Sequence, residues 1–227
     1  MRLGRRDDAR ADLQRCIAAC GERGEGGEYR RMLDQLEANL ITGGRMQLRR
    51  RRGGSVVVCA VPLVAIGRDG LCDLVLRTGG VSRRHAEIEI AGTGGPFMLK
   101  DGGSRNGTAI AGMPIAGRVP LKGTGSFELG DDCKLDFETR GSPEVLIVTV
   151  DTGVDRGARM IAAADGDKID LSIVEIAADL VFADGRPWLG KGAAKELMFA
   201  GEAVGAGRVQ LIRGDTFVVD GEEVDVA

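Results

Sequence analysis

Apolar residues follow two different spacings along the chain. Between residues 7 and 40, Leu13, Ile17 and Cys20 recur at helical intervals, and so do Met32 or Leu33, Leu36 and Leu40. That spacing gathers apolar side chains on one helix face. With Gly21 to Gly27 between the two runs, the stretch predicts a helical hairpin whose outer faces, rich in Arg, Asp and Glu, are solvated. From residue 45 onward the apolar runs are short. Met46-Gln-Leu48, Val56 to Val58, Ala65-Ile66, Leu74 to Leu76 and Phe97 to Leu99 read as strands, and residues 85 to 90 put Ala86, Ile88 and Ile90 on one face, as a half-buried strand does. Residues 108 to 137 supply further strands, so the chain is mainly β.

Gly141 to Glu144 reads as a linker. Beyond it Val145 to Val150, Arg159 to Ala163 and Val209 to Val219 predict strands. Ile173 to Phe182 is ambiguous, because Ser172 with Glu175 three residues on has the spacing of a helix capping box. The expected division is therefore 1–44, a helical extension; 45–140, a β domain; and 141–227, a β-rich domain of unknown role. Arg49 to Arg52 could form an anion-binding patch, but flanked by two apolar runs they read as the turn of a hairpin.

Three polar clusters interrupt the first β region. They are Ile66-Gly67-Arg68, Val81-Ser82-Arg83-Arg84-His85 and Asp101-Gly-Gly-Ser104-Arg105-Asn106-Gly107-Thr108. Loops between strands collect at the rim of a sheet, so the clusters are expected to converge. Arg68, Arg83 and Arg105 offer forked cations, Ser82 and Ser104 hydroxyls, and Asn106 an amide, while carboxylates stand only at the edges, at Asp69 and Asp101. Such donors suit a tetrahedral dianion, a phosphate.

In this order and spacing the clusters resemble the forkhead-associated (FHA) domain, over about residues 45 to 140 and including the closing Leu129-Gly130. The resemblance implies a β-sandwich that binds phosphothreonine peptides at one rim. It implies that Arg68 and Ser82 hold phosphate oxygens, that Asn106 binds the ligand's main chain, and that Arg83, Ser104 and Arg105 belong to the phosphopeptide site. Gly67, His85 and Gly107 would support the loops, His85 by hydrogen bonding between them and ordering Ser82. The implied fold class is an FHA-type β-sandwich with an N-terminal helical hairpin and a C-terminal β-rich domain. The implied function is a phosphothreonine-dependent interaction adaptor in serine/threonine kinase signalling, whose partner is a phosphothreonine-containing protein, either a kinase or a kinase substrate. The alternative is a phosphate-independent scaffold module of a larger assembly such as a secretion system.

Other readings narrow the field. His85 is the sole histidine and has neither a partnering nucleophile nor a metal-ligand cluster, so no catalytic residue, metal or cofactor is expected and the protein is read as a non-enzyme. A net charge of −3 argues against general nucleic-acid binding. Five cysteines without CxxC pairing suggest a reducing cytoplasm; Cys59 and Cys72 sit in apolar runs, and Cys16 with Cys20 are two ligands, too few for a metal site. Met1 to Asp8 lacks an apolar signal core and no run approaches a membrane span, so no membrane partner is expected. The run Leu3 to Ile17 resembles the closing helix of a tetratricopeptide unit; a lone unit cannot bury its own face, so the helices would pack on the β domain or on a partner helix. Gly185 to Gly192 has P-loop-like spacing but carries Gly192 where magnesium would need a hydroxyl. Arg213-Gly-Asp215 and Asp165-Gly-Asp167 read as turns. Asp179-Leu-Val-Phe182 echoes Asp73-Leu-Val-Leu76, a hint of a degenerate FHA-like repeat with Asp220-Gly221 as the counterpart of Asn106-Gly107.

Overall fold

The computed structural model describes residues 6–21 and 24–227. The segment 1–5, read above for a signal core, lies outside them, as do positions 22 and 23 of the inter-helix loop. Helices α1 (Arg6–Cys20) and α2 (Glu25–Asn39) form the expected hairpin and pack through Leu13, Ile17 and Leu33, with Tyr29 and Leu36 beside them. Acidic first turns, with Asp7 and Asp8 in α1 and Glu25 and Glu28 in α2, suit the positive ends of the helix dipoles. Of the two fates open to this pair, the structure shows docking on the β region. Arg6 pairs with Asp215 at 2.9 Å and lies over the Phe199 ring, while Asp7 pairs with Arg186. Leu40 adds a β-bridge to Ile212.

The first thirteen strands are β1 (Arg45–Arg50), β2 (Gly53–Ala60), β3 (Leu63–Gly67), β4 (Leu74–Val75), β5 (Ala86–Ile90), β6 (Phe97–Asp101), β7 (Thr108–Ile110), β8 (Met113–Pro114), β9 (Val119–Leu121), β10 (Thr124–Leu129), β11 (Cys133–Arg140), β12 (Val145–Val150) and β13 (Arg159–Ala163). A five-stranded sheet runs β4-β3-β5-β6-β9. It faces a twelve-stranded sheet that runs from Glu202–Ala203 through Leu197–Phe199, Thr216–Val219 and Glu222–Val226 into β1-β2-β13-β12-β11-β10-β7-β8. Between the two lies one core, containing Cys59, Ile66, Ile88, Leu99, Phe127, Leu135, Val148 and Met160. A four-stranded sheet of Lys168–Asp170, Asp179–Ala183, Arg186–Gly190 and Arg208–Gln210 encloses a second core on the other side of the long sheet.

The second half of β2 and strand β13 are buried on both faces. Val56, Val58, Ala60, Ile161 and Ala163 enter the second core, whereas Cys59, Met160 and Ala162 enter the first. The boundary expected after residue 140 thus falls at a tight turn between two hydrogen-bonded strands, and Leu146, Val148 and Val150 of β12 complete the first core. The final strand, Glu222–Val226, pairs antiparallel with β1. Arg51 and Arg52 form the β1–β2 turn, and two of the four arginines are neutralised within the chain, Arg50 by Glu222 and Glu175 and Arg51 by Glu223.

Several local expectations change. Val209 to Val219 is not one strand: it breaks at residues 211–215, where the Asp215 carboxylate accepts the Ile212 N–H. Residues 171–174 form a 3-10 turn capped by Asp170, not by Ser172. Cys72 is half-buried and its Sγ donates to the Arg83 carbonyl, outside the core that holds Cys59. The repeat hint fails on topology, since Leu74–Val75 pairs in parallel at a sheet edge while Asp179–Ala183 lies between two antiparallel neighbours. Arg186–Gly190 is a strand, not a phosphate-cradling loop. No helix among the described residues is long and apolar enough to cross a membrane.

Candidate functional site

The loops after β3, before β5 and after β6 meet at one rim. Two backbone hydrogen bonds fasten the first to the second: Arg68 N–H donates to Ser82 O at 3.0 Å and Asp69 N–H to Arg83 O at 2.9 Å. Gly67 makes this approach possible, because a Cβ there would stand 2.2 Å from the Arg83 carbonyl oxygen. The second and third loops are joined by His85, which is fully buried. Its Nδ1 accepts the Ser82 N–H at 3.0 Å, which requires a lone pair there, so Nε2 carries the proton and donates it to Gly107 O at 2.9 Å. Both ring nitrogens are thereby occupied, and His85 bridges the second and third loops.

The third loop is wound on Asp101. Its carboxylate accepts the N–H groups of Gly103 and Ser104, each at 2.8 Å, and the hydroxyls of Ser104 and Thr108, each at 2.7 Å. Partial burial pushes the Asp101 carboxyl up, but these four donors outweigh it and hold it below the ordinary range. Ser104 Oγ also accepts the Gly107 N–H at 2.9 Å, and Gly107 turns at a φ of 76°. The Ser104 hydroxyl is thus spent within the loop. This corrects its expected place among the ligand contacts: it is a loop support and does not line the cleft.

What remains open to solvent is a cleft of about 510 Å³ lined by Arg68, Ser82, Arg83, Arg84, Arg105 and Asn106 together with glycine and valine backbone. None of its lining residues is acidic. Arg84 is drawn off to Glu87. Arg68, Arg83 and Arg105 are exposed and form no ion pair among the described residues. Ser82 Oγ accepts the Arg105 N–H at 3.0 Å, which leaves its own proton to donate. Asn106 gives one amide hydrogen to Gly80 O at 2.9 Å and keeps its carbonyl oxygen and second hydrogen for a ligand. Of the nine residues named from sequence, five line the cleft and four, Gly67, His85, Ser104 and Gly107, hold its loops. The sequence reading missed Asp101 as the centre of the third loop and Gly80 as the anchor of Asn106. Asp-x-x-Ser is the spacing of a side-chain-capped turn, and it was the available signal for the first; nothing local marks the second.

Residues 64–130 match the family model described as the FHA domain. The chain carries an FHA domain. Solved structures similar to this part include an FHA domain from an analysis of phosphothreonine-dependent FHA interactions, 28% identical over 38% of this chain and 88% of that one, with a TM-score of 0.30. The Mycobacterium tuberculosis Rv1747 FHA-1 domain is 25% identical over 41% and 94%, with a TM-score of 0.33. The FHA domain of the CT664 protein from Chlamydia trachomatis is 26% identical over 38% and 89%, with a TM-score of 0.30. No curated protein matches the chain. The sandwich that contains the matched residues also takes in β12 and β13, which lie beyond them.

Proposed function

We propose that the protein is a non-catalytic adaptor whose FHA domain captures phosphothreonine in a partner protein. The observation that carries this reading is a cleft whose lining residues include no acidic one and in which Arg68, Arg83 and Arg105, without an ion pair among the described residues, share the lining with a serine hydroxyl that has a proton to give; the nearest carboxylate, Asp132, stands at the edge beside Gly80. Arg68 and Ser82 take the phosphate oxygens, Arg83 and Arg105 add positive field, and Asn106 bonds the peptide backbone and so sets its direction. Each charge-assisted bond contributes about 1.5–3 kcal/mol. Two of them separate a phosphorylated peptide from its bare form by orders of magnitude. A serine/threonine kinase acts upstream, and the partner is that kinase or one of its substrates.

The test is titration of a degenerate phosphothreonine peptide library, its unphosphorylated copy and a phosphoserine copy against wild type and Arg68→Ala. We expect binding that requires the phosphate and weakens about ten- to hundredfold in the variant. The melting temperature should not move, because Arg68 forms no ion pair among the described residues. Binding that ignores both the phosphate and the substitution leaves only a phosphate-independent scaffold.

A further inference from the structure

The five-stranded sheet is shorter than the long sheet it faces. It ends at β4, which pairs only with β3, and beyond that edge the sandwich-side face of β1 and β2 lies open. A groove of about 880 Å³ occupies the gap, with Gln47, Ser55 and Val57 on its floor and the segment Gly70–Val75 as its wall. Among the described residues five large apolar side chains are exposed, and two of them line this groove. Leu71 is 93% and Val75 40% exposed on the wall. Exposed apolar residues scattered singly need no explanation, but a cluster beside an open strand edge marks an interaction surface.

The groove's polar groups are unevenly committed. Its two acidic side chains are engaged: Asp73 pairs with Arg45 and accepts the Ala65 N–H, and Asp155 accepts the Arg77 N–H. The guanidiniums of Arg77 and Arg213, both in the lining, have no ion pair among the described residues, and neither has Arg49, whose Nη2 donates to the floor residue Gln47 at 3.2 Å. We propose that this groove docks an acidic, extended segment of a partner protein, added as a strand along β4, with apolar side chains against Val57 and Leu71 and carboxylates facing Arg77 and Arg213. Main-chain pairing at the edge gives affinity, and alternation of apolar and acidic side chains gives selectivity. The groove is separate from the phosphate cleft, though the 68–73 loop begins in one and ends in the other.

The proposal is tested on the isotopically labelled full chain by NMR titration with acetyl-Glu-Val-Glu-Val-Glu-amide. Controls are the peptide with lysine for glutamate and the peptide with serine for valine. We expect amide shifts at residues 55–57 and 70–77 with the first peptide, an effect at least about tenfold weaker with either control, and a loss of about tenfold in Arg77→Glu/Arg213→Glu. That double variant keeps its phosphopeptide affinity, since neither arginine lines the cleft. Equal binding of the lysine or serine control, shifts confined to other faces, or no shift at millimolar peptide would overturn the proposal. So would concentration-dependent self-association abolished by Leu71→Asp, which makes the occupant a second copy, or comparable binding to phosphatidylserine vesicles, which makes it a membrane.

Discussion

Replacing His85 with alanine tests the claim that the phosphate cleft is built by a support that touches no ligand. The imidazole is fully buried and makes two hydrogen bonds, from Ser82 N–H and to Gly107 O. Removing it orphans one donor and one acceptor on different loops. A buried group left without a partner costs about 1–3 kcal/mol, but Ser82 and Gly107 are half-buried, so water reaches both in the variant. The expected destabilisation is therefore near the lower end for two groups, about 2–3 kcal/mol. Urea unfolding gives that number. Phosphopeptide titration gives the other half: with the Ser82 loop released from Gly107, affinity falls at least about tenfold at denaturant concentrations where the variant is still folded. Because the chain has one histidine, its imidazole nitrogens are unambiguous in a long-range 15N spectrum, which should show the Nε2–H tautomer. An Nδ1–H tautomer, or a variant that keeps wild-type affinity, would refute the support role. Loss of affinity with no change in stability would make His85 a ligand contact instead.

The other predictions concern the same loops and the cores beneath them. Gly67→Ala drives a Cβ to 2.2 Å from the Arg83 carbonyl oxygen, a backbone atom that cannot swing aside; we expect a loss of about 1–3 kcal/mol in urea unfolding together with weakened phosphopeptide binding, whereas Gly70→Ala, with open space around it, should change neither. Asp101 is held below its ordinary pKa in the folded chain, so its contribution to stability is fully present above the unfolded value of about 3.9 and is lost as pH falls through the folded one; urea midpoints measured below pH 5 should decline less steeply in Asp101→Asn, and equal slopes would refute the network. Burial pushes the Cys133 thiol up to about 11 and raises Cys59 further, so in the native protein at pH 8 both should resist a thiol reagent that modifies the exposed Cys20.

The cleft was legible because its recognition chemistry is local. Arg68, Ser82, Arg105 and Asn106 are polar groups set between apolar strands, and residue type at that spacing is enough to suggest an anion. Ser104 shows where such reasoning ends. A hydroxyl in that loop could face the ligand or the turn, and the choice belongs to Asp101, whose carboxylate takes the Ser104 and Thr108 hydroxyls together. The helical hairpin was readable from its 3.6-residue period, but its anchoring on Asp215 and Arg186 was not, since those partners lie 209 and 179 residues from Arg6 and Asp7.

The domain boundary was hidden for a different reason. A strand half-exposed to water alternates, and its alternation says which face is inside; a strand buried on both faces reads as a continuous apolar run and says nothing about which core it serves. Arg159–Ala163 is such a run, as is the second half of β2. Their residues alternate between the two cores, and that is visible only once both cores are built. The same arrangement gives the region after residue 140 a physical role. By adding β12 and β13 to the sandwich and Glu222–Val226 beside β1, it supports the face of β1 and β2 beyond the edge of the five-stranded sheet. That overhang is the floor of the groove beside β4, and Arg213 at its rim comes from the same region. The part of the chain with least resemblance to the FHA pattern is therefore what creates the second surface on which a partner could bind.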